Sequence, residues 1–252
     1  MTTLSQFFAQ HPRCALAFSG GTDSAWLLYA GLQCGAELRP YYVKSQFQPD
    51  FEFRDALRLC EELGVEPAVL TLDALASEAV RANGPERCYH CKTNIMSAVL
   101  ARAGADGFPI LLDGTNASDA ADDRPGMRAL AELGVLSPLR LCGLTKPEIR
   151  RLSREAGLFT WDKPAYACLA TRIRSGEAIT PERLRAVEAG EEWLMRRGYS
   201  DLRLRCRGRD ALLQLPAAQL ARAERELPAI RAALGAYFDQ IDIDPEGRRT
   251  AL

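Results

Sequence analysis

Apolar positions fall into short continuous runs separated by longer stretches with helical spacing. Cys14–Ser19 (CALAFS), Leu38–Val43, Pro67–Leu72 and Ile110–Asp113 (ILLD) read as buried strands. Leu4–Gln10, Ala25–Leu32, Pro49–Leu63 closed by Gly64, and Cys91–Ala103 read as helices between them. Strands alternating with helices predict a parallel sheet covered on both faces. Asn83–Pro85 breaks the chain before the Cys91 helix. A further helix runs from Thr145 to Gly157, and a loop spanning Trp161–Arg174 follows. The texture then changes. Thr180-Pro181-Glu182 is a helix start, with an N-cap hydroxyl and proline in the first turn, and its helix runs to Gly198. Leu202–Cys206, Leu212–Leu215 and Tyr237–Ile243 alternate like strands around a helix at Ala217–Leu234. The expectation is an α/β domain over 1–175, a parallel twisted sheet with helices on both faces, and a small α+β domain over 176–252 for substrate binding or oligomerisation.

Composition narrows this picture without redirecting it. The 252 residues are 47% hydrophobic and 26% charged, as in an ordinary globular chain. Thirty-two Lys and Arg against 33 Asp and Glu leave a net charge of −1, which gives no support to a nucleic-acid partner. No apolar stretch approaches the roughly 18 residues of a membrane span, and the opening residues lack a secretory pattern, so a cytoplasmic protein without a membrane partner is expected. Eight cysteines in such a chain point to metal or sulfur chemistry where they cluster.

Ser19-Gly20-Gly21-Thr22-Asp23-Ser24 joins the first strand to a helix, where backbone N–H groups and the helix N-terminus converge on an anion. Ser19 and Ser24 add hydroxyl donors, and Asp23 holds the loop or serves Mg2+. Ligands in an open α/β sheet sit beyond the carboxyl ends of the strands. Val43-Lys44-Ser45 is therefore expected to border that crevice, with Asp113-Gly114-Thr115-Asn116 facing it too; a plain strand-ending turn is the alternative for the latter.

Cys88-Tyr89-His90-Cys91 is a CxxC, and Cys168 follows in the later loop. Zinc is short of a fourth ligand here. Three thiolates suit an iron–sulfur cluster with one iron open to an exogenous ligand such as sulfide. A redox pair and coincidental core cysteines stay open as alternatives.

SGGTDS resembles the signature of the PP-loop ATP pyrophosphatases, which cleave ATP between the α and β phosphates and adenylate a substrate. Taken with ERCYHCK (Glu86–Lys92), LLDGTNASDAADDRPGMRA (Leu111–Ala129) and ACLATRI before Gly176 and Ile179-Thr180, the chain is similar to the LarE family nearly end to end. The resemblance implies an adenine nucleotide alpha hydrolase-like fold. It also implies an ATP-dependent sulfur transferase that converts the carboxylates of a pyridinium-3,5-biscarboxylic acid mononucleotide into thiocarboxylates for the nickel-pincer cofactor. It further implies assembly as a homo-oligomer. Having Cys88, Cys91 and Cys168 together matches the members that hold a 4Fe-4S cluster, as opposed to those in which one cysteine gives up its own sulfur. ATP contacts are expected from Ser19, Gly20, Gly21, Thr22, Asp23, Ser24, Val43, Ser45, Gly114 and Lys92.

Lys92 and Arg172 are expected to neutralise ATP or substrate phosphate. Arg203 and Arg205 alternate with Leu202 and Leu204, so both guanidinium groups are expected to leave one strand face while the leucines enter the core. Two forks there suit the substrate's phosphate, with an exposed polar face as the alternative. Glu191 is expected to face outward, at an oligomer contact or a metal, and Arg124 to brace its loop through Asp119 or Asp122. The rival functions are a tRNA thiolase with the same nucleotide loop and a non-enzymatic adenine-nucleotide-binding protein.

Overall fold

The computed structural model describes residues 2–119 and 125–248. In chain order the elements are α1 (Leu4–Gln10), β1 (Arg13–Ala17), α2 (Thr22–Gln33), β2 (Glu37–Lys44), α3 (Asp50–Glu62), β3 (Ala68–Thr71) and α4 (Glu78–Arg81). Then come α5 (Arg87–Ala105), β4 (Leu111–Leu112), α6 (Pro125–Glu132), α7 (Pro138–Leu141) and α8 (Lys146–Glu155). The last are α9 (Pro181–Arg196), β5 (Arg203–Arg207), β6 (Asp210–Gln214), α10 (Ala217–Leu234) and β7 (Gln240–Ile243). Two compact units result: residues 1–74 with 86–163, and residues 75–85 with 164–252. The expected boundary at 175 lies inside the second unit, which also takes up the short segment around α4.

The first unit is built on a four-stranded sheet in the order β3-β2-β1-β4, with β1 parallel to both β2 and β4 and β2 parallel to β3. Strand pleating sends successive residues to opposite faces, and the core divides accordingly. Cys14, Leu16, Leu38, Tyr42 and Leu112 pack with α1, α2, α3, α7 and α8. Ala15, Tyr41, Val43, Ala68 and Leu111 pack with α5 and α6. For β1 and β4, both faces being buried explains why they read as unbroken apolar runs. Strand β4 is shorter than ILLD suggests, because Asp113 already turns its side chain back into the following loop.

In the second unit β5 runs antiparallel to β6, and β6 parallel to β7. Thr180 caps α9 as its sequence predicts, its hydroxyl accepting from the Arg183 N–H at 3.3 Å, with Pro181 in the first turn. Asn83, at φ 54°, stitches the α4 segment to this unit. Its amide donates to the carbonyls of Arg174 (2.9 Å) and Glu177 (3.2 Å), and its own carbonyl accepts from the Gly176 N–H (3.0 Å).

Candidate active site

The Ser19–Ser24 loop lies where β1 passes into α2. Gly20 has φ +72°, and a Cβ there would sit 2.8 Å from Ala56 Cβ, so glycine is required on both counts. Gly21 is the N-cap of α2, and no side chain caps that helix. Its first-turn amides and the positive end of its dipole face the loop. The hydroxyls of Ser19 and Ser24 lie 3.1 Å apart, Ser24 donates to the Gly21 carbonyl (3.2 Å), and the Gly21 N–H donates to Ser19 Oγ (3.3 Å). The hydroxyl of Thr22 is turned away, donating to the Thr160 carbonyl at 2.8 Å, and so braces the loop from behind.

Asp23 is held by Lys146, whose ammonium donates to Oδ2 at 2.6 Å. Burial outweighs that partner and pushes the Asp23 carboxyl above its ordinary value. The other oxygen, Oδ1, is buried with no hydrogen-bond partner among the described residues. Lys146 escaped the sequence reading; its signal was Thr145-Lys146-Pro147-Glu148, a helix start like that at Thr180.

Two neighbouring segments come to the same strand ends. A Cβ on Gly114 would lie 3.0 Å from the Ser24 backbone nitrogen, so the loop after β4 rests directly on the first turn of α2. Asp113 is saturated: its carboxylate accepts from Ser137 Oγ (2.6 Å), Thr115 Oγ1 (2.5 Å) and the Thr115 N–H (3.3 Å). That segment is both a self-bonded turn and a wall of the loop. After β2, Ser45 Oγ donates to Gln48 Oε1 at 2.7 Å, and Val43 and Ser45 are both buried.

The helix expected from Cys91 starts four residues earlier and takes in the whole CxxC. Helix α5 begins at Arg87, so Cys88 and Cys91 stand one turn apart on one face near its start. Cys88 is exposed, and Arg87 Nη2 donates to its Sγ at 3.3 Å. Lys92 follows on α5, its stem 3.3 Å from where a Gly126 Cβ would stand. Cys168 belongs to the second unit, partly exposed, just before the 3-10 turn Leu169–Arg172. Among the described residues no group of three or more His, Cys, Asp and Glu side chains could hold a metal ion. Arg124 and Asp122 lie outside the described residues.

In the second unit the arginines are placed differently from the sequence expectation. Glu191 faces inward and is 1% exposed. Its Oε1 accepts from Arg172 Nε (2.8 Å) and the Leu204 N–H (2.8 Å), and its Oε2 from Arg172 Nη2 (3.1 Å) and the Tyr166 hydroxyl. Arg172 is buried as well and also donates to the Ala167 carbonyl at 2.7 Å. Although burial works against its charge, Glu191 holds the Arg172 guanidinium above its ordinary value.

Arg203 is buried where an outward fork was expected. It donates to the Ala165 carbonyl and lies 5.0 Å from the Tyr166 ring centre. Half-buried Arg205 donates to the Thr171 carbonyl at 2.5 Å. Burial, then the Arg172 charge, brings Arg203 down to about 10. Leu202 and Leu204 do enter the core. Three arginines thus grip the carbonyls of the 165–171 loop that carries Cys168. A strand-alternation argument finds the shared side of Arg203 and Arg205 but not the loop folded over it.

No protein-family model matches the chain. It is 35% identical to an uncharacterised protein of Synechocystis, covering 87% of this chain and 82% of that protein. It is 32% identical to the pyridinium-3,5-bisthiocarboxylic acid mononucleotide synthase of Lactiplantibacillus plantarum, covering 82% of this chain and 76% of the synthase. A tRNA-specific 2-thiouridylase of Thermotoga neapolitana is 26% identical over 58% of this chain and 52% of its own length. The match to the synthase runs through most of both chains, and on that extent the chain belongs to the LarE family of the PP-loop superfamily.

Proposed function

We propose that this protein is an ATP-dependent sulfur transferase that converts the carboxylates of pyridinium-3,5-biscarboxylic acid mononucleotide into thiocarboxylates. The observation that carries the reading is the β1–α2 junction, a glycine turn opening a helix that no side chain caps, with Gly114 packed against its first turn. Such a junction offers converging N–H donors to phosphate. The name of the Lactiplantibacillus relative supplies the substrate class.

A carboxylate oxygen is a poor leaving group. In the proposed first step the substrate carboxylate attacks the α phosphorus of ATP, the bond to the bridging oxygen of the β phosphate breaks, and pyrophosphate departs with that electron pair. A sulfur nucleophile then attacks the acyl carbon, and AMP leaves with the electron pair of the broken C–O bond; sulfide gives the thiocarboxylate directly, whereas a cysteine thiolate gives a thioester that releases it when the Cα proton is lost and the Cβ–S bond breaks, leaving dehydroalanine. Asp23 Oδ1, buried and unpartnered, is the acceptor available to a magnesium ion arriving with the triphosphate, which would shield phosphate charge.

Cys88, Cys91 and Cys168 are the proposed sulfur-bearing residues. Cys88 and Cys91, three residues apart on one helix face, fit a chelating pair, and no step here runs through a 4Fe-4S cluster. Lys92 is proposed at the ATP phosphates, and Arg205 at the substrate's phosphate. Arg172 and Arg203, being buried, are proposed to set the loop on which the substrate rests. Homo-oligomeric assembly completes the reading.

The test is pyrophosphate release from ATP that depends on the dicarboxylated pyridinium mononucleotide, with thiocarboxylate detected by mass spectrometry. Iron and acid-labile sulfide measured on protein prepared without air test the cluster separately. Release driven by tRNA in place of the mononucleotide would favour a thiolase. No release with either would favour a nucleotide-binding protein without catalysis.

A further inference from the structure

Helix α5 carries Cys88 and Cys91 at the end where a helix is held least firmly. The first four N–H groups of a helix have no partner within it, and Glu86, the N-cap of α5, makes no side-chain capping bond. Opening of such a turn lets the two sulfurs drift apart. A turn that must present a thiol pair therefore needs an outside support, and α6 supplies one.

Two residues of α6 reach the start of α5. Arg128 binds the Glu86 carboxylate through Nη2, stands 3.8 Å from Glu132 Oε1 through Nε, and lies 4.3 Å from the centre of the Tyr89 ring. The Tyr89 hydroxyl donates to Glu132 Oε2 at 2.6 Å. On the next turn Thr93 Oγ1 donates to the Tyr89 carbonyl at 2.9 Å, and the Lys92 stem runs beside Gly126. At about 100° per residue, Glu86 and Tyr89 lie about 60° apart around α5, as do Cys88 and Cys91, and the two pairs are centred about 160° from each other. The grip of α6 thus falls on the back of the turn, away from the thiol face. Arg128, Glu86 and Glu132 are each about half exposed, so no one of these contacts is strong alone, but all act on the same turn.

We propose that Arg128 and Tyr89 are positioning residues for the thiol pair: through them α6 clasps the start of α5 and holds Cys88 and Cys91 at the one-turn separation that lets both sulfurs take a single thiophilic centre. This rests on the reading of Cys88 and Cys91 as a chelating, sulfur-bearing pair and adds the residues that keep the pair formed. Their role is on the helix, and no step of the reaction is assigned to them.

The test is titration of the reduced, metal-free protein with phenylarsine oxide, whose arsenic takes two thiols and releases one water, alongside the rate at which iodoacetamide labels Cys88. Peptide mass mapping locates both reagents, and melting curves establish that each variant is folded. Wild-type protein is expected to bind the arsenical across Cys88 and Cys91. Arg128→Met and Tyr89→Leu are each expected to weaken that binding about three- to tenfold, and Arg128→Lys to recover part of it, while iodoacetamide labelling of Cys88 does not slow. Arg151→Met, which breaks an exposed ion pair with Glu155 on α8, should bind as wild type does. Wild-type affinity in either folded variant, Arg128→Met or Tyr89→Leu, or an equal loss in Arg151→Met, overturns the clasp and leaves the thiol pair standing. A folded wild-type protein that takes no arsenical at Cys88 and Cys91 overturns both.

Discussion

Replacing Glu191 by Gln changes one atom at the most densely bonded side chain of the second unit. An ionised carboxylate offers about four lone-pair positions, and in Glu191 four donors fill them: two Arg172 nitrogens, the Tyr166 hydroxyl and the Leu204 N–H. A glutamine must point its NH2 at two of those donors. It also strips the counter-charge from Arg172, whose side chain is 0% exposed, so solvent screening offers no relief. Breaking such a buried pair from one side costs about 3–5 kcal/mol, a large share of the roughly 5–15 kcal/mol that holds a domain together. At about 4–8 °C per kcal/mol for a unit of this size, the melting midpoint should fall by about 12 °C or more. Thermal and urea melts measure this, with the Arg172→Met/Glu191→Leu double variant as control. Replacing both partners by apolar groups removes the stranded charge, so the double variant should be more stable than Glu191→Gln. A loss under about 1 kcal/mol in Glu191→Gln, or a double variant worse than the single, would refute the reasoning.

Gly114→Ala places a methyl 3.0 Å from the Ser24 nitrogen and should weaken ATP binding about tenfold by calorimetry while leaving the sheet folded, as read by circular dichroism. Asp23→Asn should raise the midpoint of the nucleotide-free protein at pH 7 and abolish pyrophosphate release. Because the folded-state carboxyl lies above its ordinary value, its ionised form destabilises at neutral pH; the advantage of Asn should therefore shrink as pH falls towards 3.8, where the wild-type group also protonates, and melts across that range measure it. Burial lifts the Cys14 thiol to about 11 and that of Cys60 to about 12, so iodoacetamide at pH 8 should label exposed Cys88 in the metal-free protein and spare both, as peptide mass mapping reads out. Cys88→Ala should lose at least about tenfold in thiocarboxylate formation while keeping ATP binding, measured by single-turnover mass spectrometry.

Local chemistry made much of this molecule legible from its sequence. The strands of the first unit are buried on both faces, so CALAFS and ILLD stand out as unbroken apolar runs, and the period-two split of Cys14 and Leu16 from Ala15 follows from pleating alone. The glycine loop was readable for a similar reason: Gly20 needs a positive φ and a missing Cβ, two demands that leave a mark in the sequence. Boundaries were less so. α5 starts at Arg87, four residues before the Cys91 start read from the sequence, because Asn83 and Pro85 end the preceding segment early, and Cys88 thereby joins the helix.

Residue type and spacing by themselves determined the sheet, the glycine loop and the spacing of the CxxC, since each of these depends on neighbours a few positions away. Only the tertiary structure decided what the charged residues do. Arg172 and Glu191 are far apart in the chain yet share one buried bond network, Arg203 turns inward to the carbonyls of a loop that folds over its strand, and Lys146 meets Asp23 across 123 positions. A charge is cheap in water and costly when buried alone, so its fate rests on which distant partner the fold brings to it, and no local pattern along the chain records that choice.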